Sequence, residues 1–334
     1  MKKTVLPMLA CLLLLCGCGG RKALDVQEQY RSVTSAELEA EVVSCADAAG
    51  RVFTLTCRYD PAGQSVTTVN APSELAGLTA VLAGDTLSVS RAGERISLVH
   101  TAPYADGDWI TLECDEPGLY CVVQLEDTMP PALVYIKERG LDFPIPPADN
   151  RVNYSPRSFT GTCHLLRARL ATAEEVAARR NLAFNPYDCH GSHGFYPHAS
   201  ANVETRGEAV FAARNAVDGI YENDAHGTWP YQSWGINRDP SAALTIEFGR
   251  SVTVDELRLT LRADFPHDSY WTQATVAFDD GSREVLQLTK TAAPQVFALA
   301  PRTVQSLKLF ELKKAADASP FPALTQIEVW GTEG

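Results

Sequence analysis

Two adjacent stretches decide the fold: residues 243–249 (ALTIEFG) and residues 252–259 (VTVDELRL). In both, apolar and polar side chains alternate, which is the period of a strand with one buried face. Similar runs follow at residues 274–278 (ATVAF), 306–310 (SLKLF) and 324–331 (LTQIEVWG), with a turn at residues 279–282 (DDGS). The C-terminal part of the chain is therefore predicted to be a β domain.

Two loops rich in aromatic and polar residues lie among these strands. The first, residues 228–235 (TWPYQSWG), follows the segment NAVDG at residues 215–219 and has Asn223, Asp224 and His226 beside it. The second, residues 262–271 (RADFPHDSYW), comes directly after the strand that ends at Leu261. If both loops lie at one end of the domain, they form a shallow binding surface.

The order of these pieces resembles the galactose-binding-like β-sandwich of discoidin domains, coagulation-factor C-type domains and many carbohydrate-binding modules. The likeness extends from Ala201 to Gly331. It implies a jelly-roll whose loops at one end present side chains to a ligand. The predicted fold class is thus mainly β, with a C-terminal jelly-roll β-sandwich (galactose-binding-like) preceded by small antiparallel β domains.

Sugars are recognised by an aromatic ring that packs on the sugar face and by polar groups that hold its hydroxyls. The two loops contain both kinds of side chain, so we expect a cell-wall or host glycan as partner. The predicted ligand-binding residues are Trp229, Tyr231, Trp234, His226, Arg262, His267, Asp268, Tyr270 and Trp271, and Asn202, Glu204 and Arg206 are further polar candidates. The alternatives are core positions for the tryptophans and a surface salt-bridge cluster for Arg262, His267 and Asp268.

The same resemblance implies a structural calcium ion (Ca2+) that would tie the first loop to the last strand through hard oxygen ligands. The matching positions are Asp218 and Glu328, with Asn223 or Asp224 as extra ligands. The alternative is a metal-free sandwich in which Asp218 caps a turn.

The N-terminus predicts export. Lys2 and Lys3 precede an apolar run at residues 6–15 (LPMLACLLLL) that is too short to span a hydrocarbon layer of about 30 Å. Residues 15–18 (LCGC) resemble the lipobox of bacterial lipoproteins, which implies a lipid on Cys18 and a location on the extracytoplasmic face of the membrane. Residues 1–17 are therefore a predicted signal peptide and residues 18–23 the lipid anchor and tether; an ordinary secreted protein is the alternative.

The charge balance bears on partners. Residues 1–17 hold two lysines and no acids, so their removal takes the formal net charge from -12 to -14. An acidic chain of this kind argues against nucleic acid as a partner.

The segments before the sandwich are predicted to be small β structures. Residues 24–105 combine a short helix at residues 24–34 with an antiparallel meander, which resembles the half-barrel of periplasmic lipoprotein carriers and implies lipid or lipoprotein handling as an alternative function. Residues 106–180 form a second small β segment and a helical connector capped by Thr172, and residues 181–334 form the sandwich. The meander strands are predicted at residues 52–56, 65–69, 78–82 and 87–90.

Six cysteines lie beyond Cys18. Cys114 and Cys121 flank a Pro-Gly turn that predicts a hairpin and a candidate disulfide, with metal binding as a less favoured alternative. His190, His193 and His198 lie near Asp188 and Cys189, which predicts a loop around the sandwich; a metal-dependent enzyme is the alternative. The chain contains no hydrolase elbow, zinc-protease helix, Walker loop or glycine-rich dinucleotide turn, so we expect a binding protein and no catalysis.

Overall fold

The structure is a computed structural model that describes residues 36–43, 52–60, 64–71, 78–83, 86–91, 95–191, 194–265 and 267–334. The chain divides into two compact units, Met1–Ala92 and Gly93–Gly334. Strands far outnumber helices among the described residues, which confirms the predicted mainly β fold. Cys18, the predicted signal peptide and the predicted helix at residues 24–34 lie outside the described residues.

The first unit contains one five-stranded antiparallel sheet. Its strands are β1 (Ala36–Val43), β2 (Val52–Asp60), β3 (Gln64–Ala71), β4 (Leu78–Ala83) and β5 (Thr86–Arg91). Each strand pairs with the next along the chain, in the order β1-β2-β3-β4-β5. The four predicted meander runs coincide with β2 to β5, where β-branched residues favour extended backbone.

The second unit begins with a small sheet that encloses its own apolar core. Its strands include β6 (Arg95–His100), β8 (Leu119–Gln124), β9 (Ala132–Ile136) and β11 (His164–Leu170). A separate two-stranded sheet of β7 (Trp109–Glu113) and β10 (Gly140–Pro144) packs on the same core. The segment predicted to contain the meander, residues 24–105, includes β6, but β6 pairs with β11 in this second unit. One face of β9 is buried, and Val123, Val134 and Phe143 are fully enclosed.

The turn between β7 and β8 departs from its prediction. Cys114 and Cys121 do not flank a hairpin, because β7 pairs with β10 while β8 pairs with β9 and β11. The two thiols nevertheless hydrogen-bond to each other, and this contact together with burial raises the pKa of Cys121. Both residues are free thiols in this structure, and their disulfide stays a prediction.

The rest of the second unit is a β-sandwich. Its strands are β12 (Arg180–Asn181), β14 (His198–Ala201), β15 (Trp234–Gly235), β16 (Leu244–Leu261), β17 (Trp271–Phe278), β18 (Arg283–Gln287), β19 (Gln295–Lys314) and β20 (Ala323–Glu333), while β13 (Phe195–Tyr196) completes the small sheet. The main sheet has the order β12-β20-β16-β19-β17-β18, with β14 on β16 and β15 on β20. A short helix, α1 (Ala173–Ala177), leads into it, and the predicted cap is observed: Thr172 and Glu175 exchange side-chain to backbone hydrogen bonds.

The two predicted strands at residues 243–259 are one long strand with a bend. Gly249 at the bend has a φ of +70°, and a Cβ there would lie 2.3 Å from the ring of Tyr196, so only glycine fits. The register of β16 against β19 shifts between Glu247 and Val252. Leu244 and Leu257, on either side of the bend, belong to one buried cluster, so the sheet folds around a single core.

Strand pairing, core packing and hydrogen bonds connect the small sheet to the sandwich. β13, which follows β12 in the chain, pairs with β9 of the small sheet, and Tyr187 and Phe195 pack in the small sheet's core. Glu333 at the end of β20 accepts hydrogen bonds from Tyr120 of β8 at 2.7 Å and from Arg250 of β16 at 2.7 Å. The chain after residue 181 therefore contributes side chains to the core of the small sheet as well as to the core of the sandwich.

Candidate functional site

A buried carboxylate, Asp264, lies at the centre of a polar cluster between the two predicted loops. Arg262 Nε lies 2.6 Å from Asp264 Oδ1, and His226 Nδ1 hydrogen-bonds to Oδ2. His267 Nδ1 lies 3.7 Å from the same Oδ2 atom, and the rings of His226 and His267 meet edge to face at 4.4 Å. Asp264 is 1% exposed and Arg262 5%, so the ion pair is shielded from solvent, whereas both histidines reach the surface.

The backbone around this cluster is fixed by Asn223. Its side-chain Nδ2 donates to Leu261 O at 2.6 Å and to Ala292 O at 2.9 Å, and its carbonyl accepts from Ala263 N at 2.8 Å. Asn223 thus clamps the start of the second loop onto the first. The result is that His226 from the first loop and Arg262 and His267 from the second lie side by side.

A pocket of about 160 Å³ opens in front of this cluster. We call it the Asp264 pocket; its walls include Arg206, Phe211, His226, Arg238, Arg262, His267 and Phe321. This volume is below the range of about 300–1,000 Å³ that holds drug-sized ligands, so the pocket fits one small ring or the end of a longer chain.

Aromatic rings and arginines form the outer wall of the Asp264 pocket. The Phe321 ring is 40% exposed, and the guanidinium of Arg238 lies 5.3 Å from its centroid. Phe211 is buried beneath Arg206, whose guanidinium lies 5.5 Å from the ring centroid. Gly235 forms part of the floor, where a Cβ would come within 2.7 Å of Thr205 Oγ1 and close the space.

The backbone of the Asp264 pocket is strained. Arg206, Asn237 and Arg238 have φ values of 54°, 48° and 60°, in the left-handed region that residues with a Cβ rarely adopt. All three line the pocket. Residues with such backbone angles persist only where the surrounding structure holds them in place. They are found most often at ligand-binding and active sites.

The tryptophans Trp234 and Trp271 were predicted to bind ligand, and this prediction is wrong. They are 0% and 1% exposed, and their rings pack 6.2 Å apart in the sandwich core. A buried ring has no free face for a sugar, so the alternative of core positions holds for both.

The remaining predicted residues lie outside the Asp264 pocket. Trp229 is 37% exposed, but its backbone N–H donates to Val152 O at 2.8 Å, away from the pocket walls. Tyr231 is half-buried and does not line the pocket, and Tyr270 packs against the sandwich core. Asp268 forms a salt bridge with Lys290 at 3.1 Å.

The predicted calcium ligands have other partners. Asp218 Oδ1 accepts from Gln326 Nε2 at 2.8 Å and Oδ2 from Gln232 Nε2 at 2.9 Å, while Glu328 Oε2 accepts from Trp330 Nε1 at 2.7 Å. Asn223 donates to carbonyls, and Asp224 is exposed. Two groups of metal-capable side chains occur in the described part of the chain, and neither contains these residues. The calcium ion stays a prediction.

Of the pocket residues that were not predicted, one carries a recognisable signal in the sequence. Phe321 stands between Pro320 and Pro322, directly before the last strand, and an aromatic residue held between two prolines is poorly suited to a strand. Asn237 and Arg238 had no comparable signal, because a left-handed backbone at these residue types is set by tertiary contacts. Arg206 was among the further polar candidates and does line the pocket.

A second polar pocket, of about 320 Å³, lies near the predicted histidine cluster. His198 Nδ1 hydrogen-bonds to the buried Asp188 Oδ1 at 2.7 Å, and Asp188 Oδ2 accepts from Ala199 N at 2.7 Å. His190 Nε2 lies 3.3 Å from Glu204 Oε2, and His193 lies outside the described residues. Burial raises the pKa of the Cys189 thiol to about 12, so this cysteine is not an activated nucleophile.

The Asp188–His198 pair predicts a pH dependence of stability. Burial lowers the pKa of His198, but the hydrogen bond and the charge of Asp188, with that of Glu247, outweigh it and raise the pKa above 6.5. The charged imidazole is therefore favoured in the folded state, and its stabilisation is full below pH 6.5 and is lost as the pH rises through the raised folded value. We expect the free energy of unfolding, measured in urea between pH 5.5 and 8.5, to fall toward that of His198→Asn as the pH rises. A difference in free energy between the two proteins that stays constant across this range contradicts the assignment.

In the described part of the chain, no helix combines the length and the apolar character needed to cross a membrane.

Comparison with known proteins gives structural neighbours only. No family model matches the chain, and no curated protein matches it. A chitosan-binding module of a chitosanase/glucanase from Paenibacillus sp. IK-5 is 19% identical, and the alignment covers 46% of this chain and 99% of the module with a TM-score of 0.32. A family 32 carbohydrate-binding module from C. perfringens NanJ, solved with galactose, is 17% identical (40% and 91% covered, TM-score 0.31). The lectin domain of lectinolysin, solved with Lewis B antigen, is 16% identical (46% and 97% covered, TM-score 0.35).

Proposed function

We propose that this protein binds carbohydrate in the Asp264 pocket and does not turn it over. The observation that carries the proposal is one buried carboxylate, Asp264, that holds Arg262 and His226 in fixed positions beside the exposed ring of Phe321. Carbohydrate-binding neighbours in the comparisons are in keeping with this function.

The side chains of the pocket supply the two contacts that a sugar needs. Phe321 offers an apolar face for the C–H surface of a ring. Asp264 accepts the Nδ1 proton of His226, which leaves Nε2 as the free polar atom of that ring for a hydroxyl. Arg262 is held by Asp264 and by the carbonyl of Phe321, so its remaining N–H groups are oriented before any ligand arrives.

The lining of the pocket supports binding rather than glycoside hydrolysis. Hydrolysis of a glycosidic bond generally requires two carboxyl groups that flank it. Among the described residues that line the Asp264 pocket, none is a carboxylate. Asp264 lies behind the lining, with its oxygens facing Arg262 and His226.

A glycan screen of the full chain tests the proposal. We expect saturable binding to a subset of glycans, reduced at least about tenfold by His226→Ala because one orienting hydrogen bond is worth about 1.4 kcal/mol here. The matched control is Trp229→Ala, an exposed aromatic residue outside the pocket, which should bind as wild type does. Binding that survives His226→Ala but not Trp229→Ala would place the site elsewhere, and no binding to any glycan would overturn the proposal.

We also propose that the chain is a lipoprotein held by Cys18 on the extracytoplasmic face of a membrane, where a glycan-binding pocket would meet cell-wall or host sugars. The support is the sequence of residues 1–18, with its two lysines, short apolar run and LCGC segment. A mass measurement of the mature N-terminus, which should carry a diacylglycerol on Cys18, tests this assignment.

A further inference from the structure

We propose that the small sheet of the second unit holds a divalent transition metal ion at Glu126, Asp127 and His164, which we call the Glu126 cluster. One ligand atom from each of the three side chains lies within 4.8 Å of the other two. The cluster is distant in sequence from the Asp264 pocket and shares no residue with it. Glu126 and Asp127 follow β8, and His164 is the first residue of β11.

His164 is the observation that points to a ligand. The residue is 2% exposed, and its Nε2 atom is buried with no hydrogen-bond partner among the residues that the structure describes. Its Nδ1 atom lies 4.0 Å from Glu126 Oε2, which is too long for a hydrogen bond. A buried imidazole nitrogen without a hydrogen-bond partner is uncommon in native proteins, and a bound ion is one of the accepted explanations.

Among the described residues, two aromatic neighbours of His164 also have buried polar atoms without hydrogen-bond partners. His100 stands directly opposite His164 in the β6–β11 pairing, and the ring of Tyr104 packs against both imidazoles at centroid distances of 5.1 and 4.3 Å. His100 Nε2 and the Tyr104 hydroxyl are also buried without partners in the described structure. Three unsatisfied polar atoms in one set of stacked rings mark a place where a polar partner is needed.

Glu126 is oriented as a supported metal ligand would be. Its Oε1 atom accepts from the Thr128 hydroxyl at 3.0 Å, and its Oε2 atom accepts from Phe159 N at 3.1 Å. The Thr128 hydroxyl in turn lies 2.7 Å from the Ser158 hydroxyl. Such hydrogen bonds hold a ligating carboxylate in position and raise metal affinity.

The donor set selects the class of metal. One imidazole and two carboxylates, with His100 beside them as a fourth candidate, suit Zn²⁺ and similar borderline ions better than soft or purely oxygen-seeking ones. With bonds of about 2.0–2.1 Å, ligand atoms in a tetrahedral zinc site lie about 3.4 Å apart, so the cluster must contract by about 1 Å. Asp127 is exposed and can supply much of that movement.

A bound ion would cross-link two segments of the small sheet. It would join the turn between β8 and β9 to the start of β11, which are separated by more than 30 residues in the chain. Binding to the folded state alone should raise its melting temperature, and the expected shift at saturating Zn²⁺ is about 5–10 °C.

Titration of the full-length chain with Co²⁺ and Zn²⁺ tests the site, after chelator treatment to remove bound metal. We expect one Co²⁺ per chain, with the visible absorption of a four-coordinate N/O site, displaced by Zn²⁺. His164→Gln and Asp127→Asn should each weaken Co²⁺ binding by about 10-fold or more and reduce the Zn²⁺-dependent melting shift. Asp127→Asn changes an exposed side chain, so it keeps the test valid if His164→Gln fails to fold.

Two control variants separate this site from other histidines. His190→Ala removes an exposed histidine, and His226→Ala removes a member of the other metal-capable group, His226, Asp264 and His267. Both should retain the Co²⁺ signal. Loss of the signal in His226→Ala with retention in His164→Gln and Asp127→Asn, or absence of stoichiometric Co²⁺ binding to wild type, overturns the proposal.

Discussion

Asp264→Ala is expected to destabilise the protein by about 3–5 kcal/mol and to abolish glycan binding. Removal of the carboxylate leaves the guanidinium of Arg262, 5% exposed, without its counter-charge. Burial already lowers the pKa of Arg262, and Asp264 opposes that effect in the wild type. Urea unfolding measures the loss of stability, and glycan titration of the folded fraction measures the loss of binding.

A double variant separates the two effects. Arg262→Met with Asp264→Leu replaces the buried ion pair by apolar side chains of similar volume, a change that is often neutral or stabilising. We expect it to recover most of the stability that Asp264→Ala loses while glycan binding stays absent, since the groups that orient His226 and meet the ligand are gone. An Asp264→Ala variant as stable as wild type would contradict the ion-pair argument, and a double variant with normal binding would contradict the proposed site.

Trp234→Ala is expected to lower the free energy of unfolding by about 3–5 kcal/mol. The side chain is fully buried, packs against Trp271 and donates its indole N–H to Val203 O at 2.9 Å. Truncation leaves a cavity in the sandwich core and an unpaired carbonyl. Chemical denaturation followed by circular dichroism measures the change.

Trp229→Ala is the matched comparison for Trp234→Ala. Both tryptophans come from the same eight-residue loop, but Trp229 is 37% exposed. Its truncation should lower stability by less than about 1 kcal/mol. Equal destabilisation by the two substitutions would mean that Trp234 is not the core residue described above.

The strands of the sandwich could be predicted because their sequence pattern is local. The alternation of apolar and polar side chains in residues 243–259 predicts which face of β16 is buried. The core of the structure contains the apolar residues Leu244, Ile246, Val254 and Leu257. The bend at Gly249 was not predicted, since the two alternating runs look like separate strands. The pairings of β6 with β11 and of β7 with β10 were also beyond a local pattern, because they join segments about 30 to 70 residues apart in the chain.

The candidate site could be predicted only in its polar part. His226, Arg262 and His267 belong to two loops that flank sandwich strands, and the structure brings them together around Asp264. The aromatic residues of the site were assigned wrongly, because the position of a ring in a predicted loop does not indicate whether it points into the core or toward solvent. Trp234 and Trp271 fill the core, whereas Phe321, from a loop that the sequence analysis did not consider, borders the pocket.

The strand β13 and the contacts of Glu333 restrict how this protein can be cut and recombined. A fragment starting at residue 181 would expose Tyr187 and Phe195 to water and would lack the Tyr120 hydroxyl that binds Glu333. The sandwich that holds the Asp264 pocket is therefore not expected to fold as an independent module. Gene fusions and evolutionary shuffling that preserve its folding must carry the preceding small sheet along, with a junction upstream of residue 95.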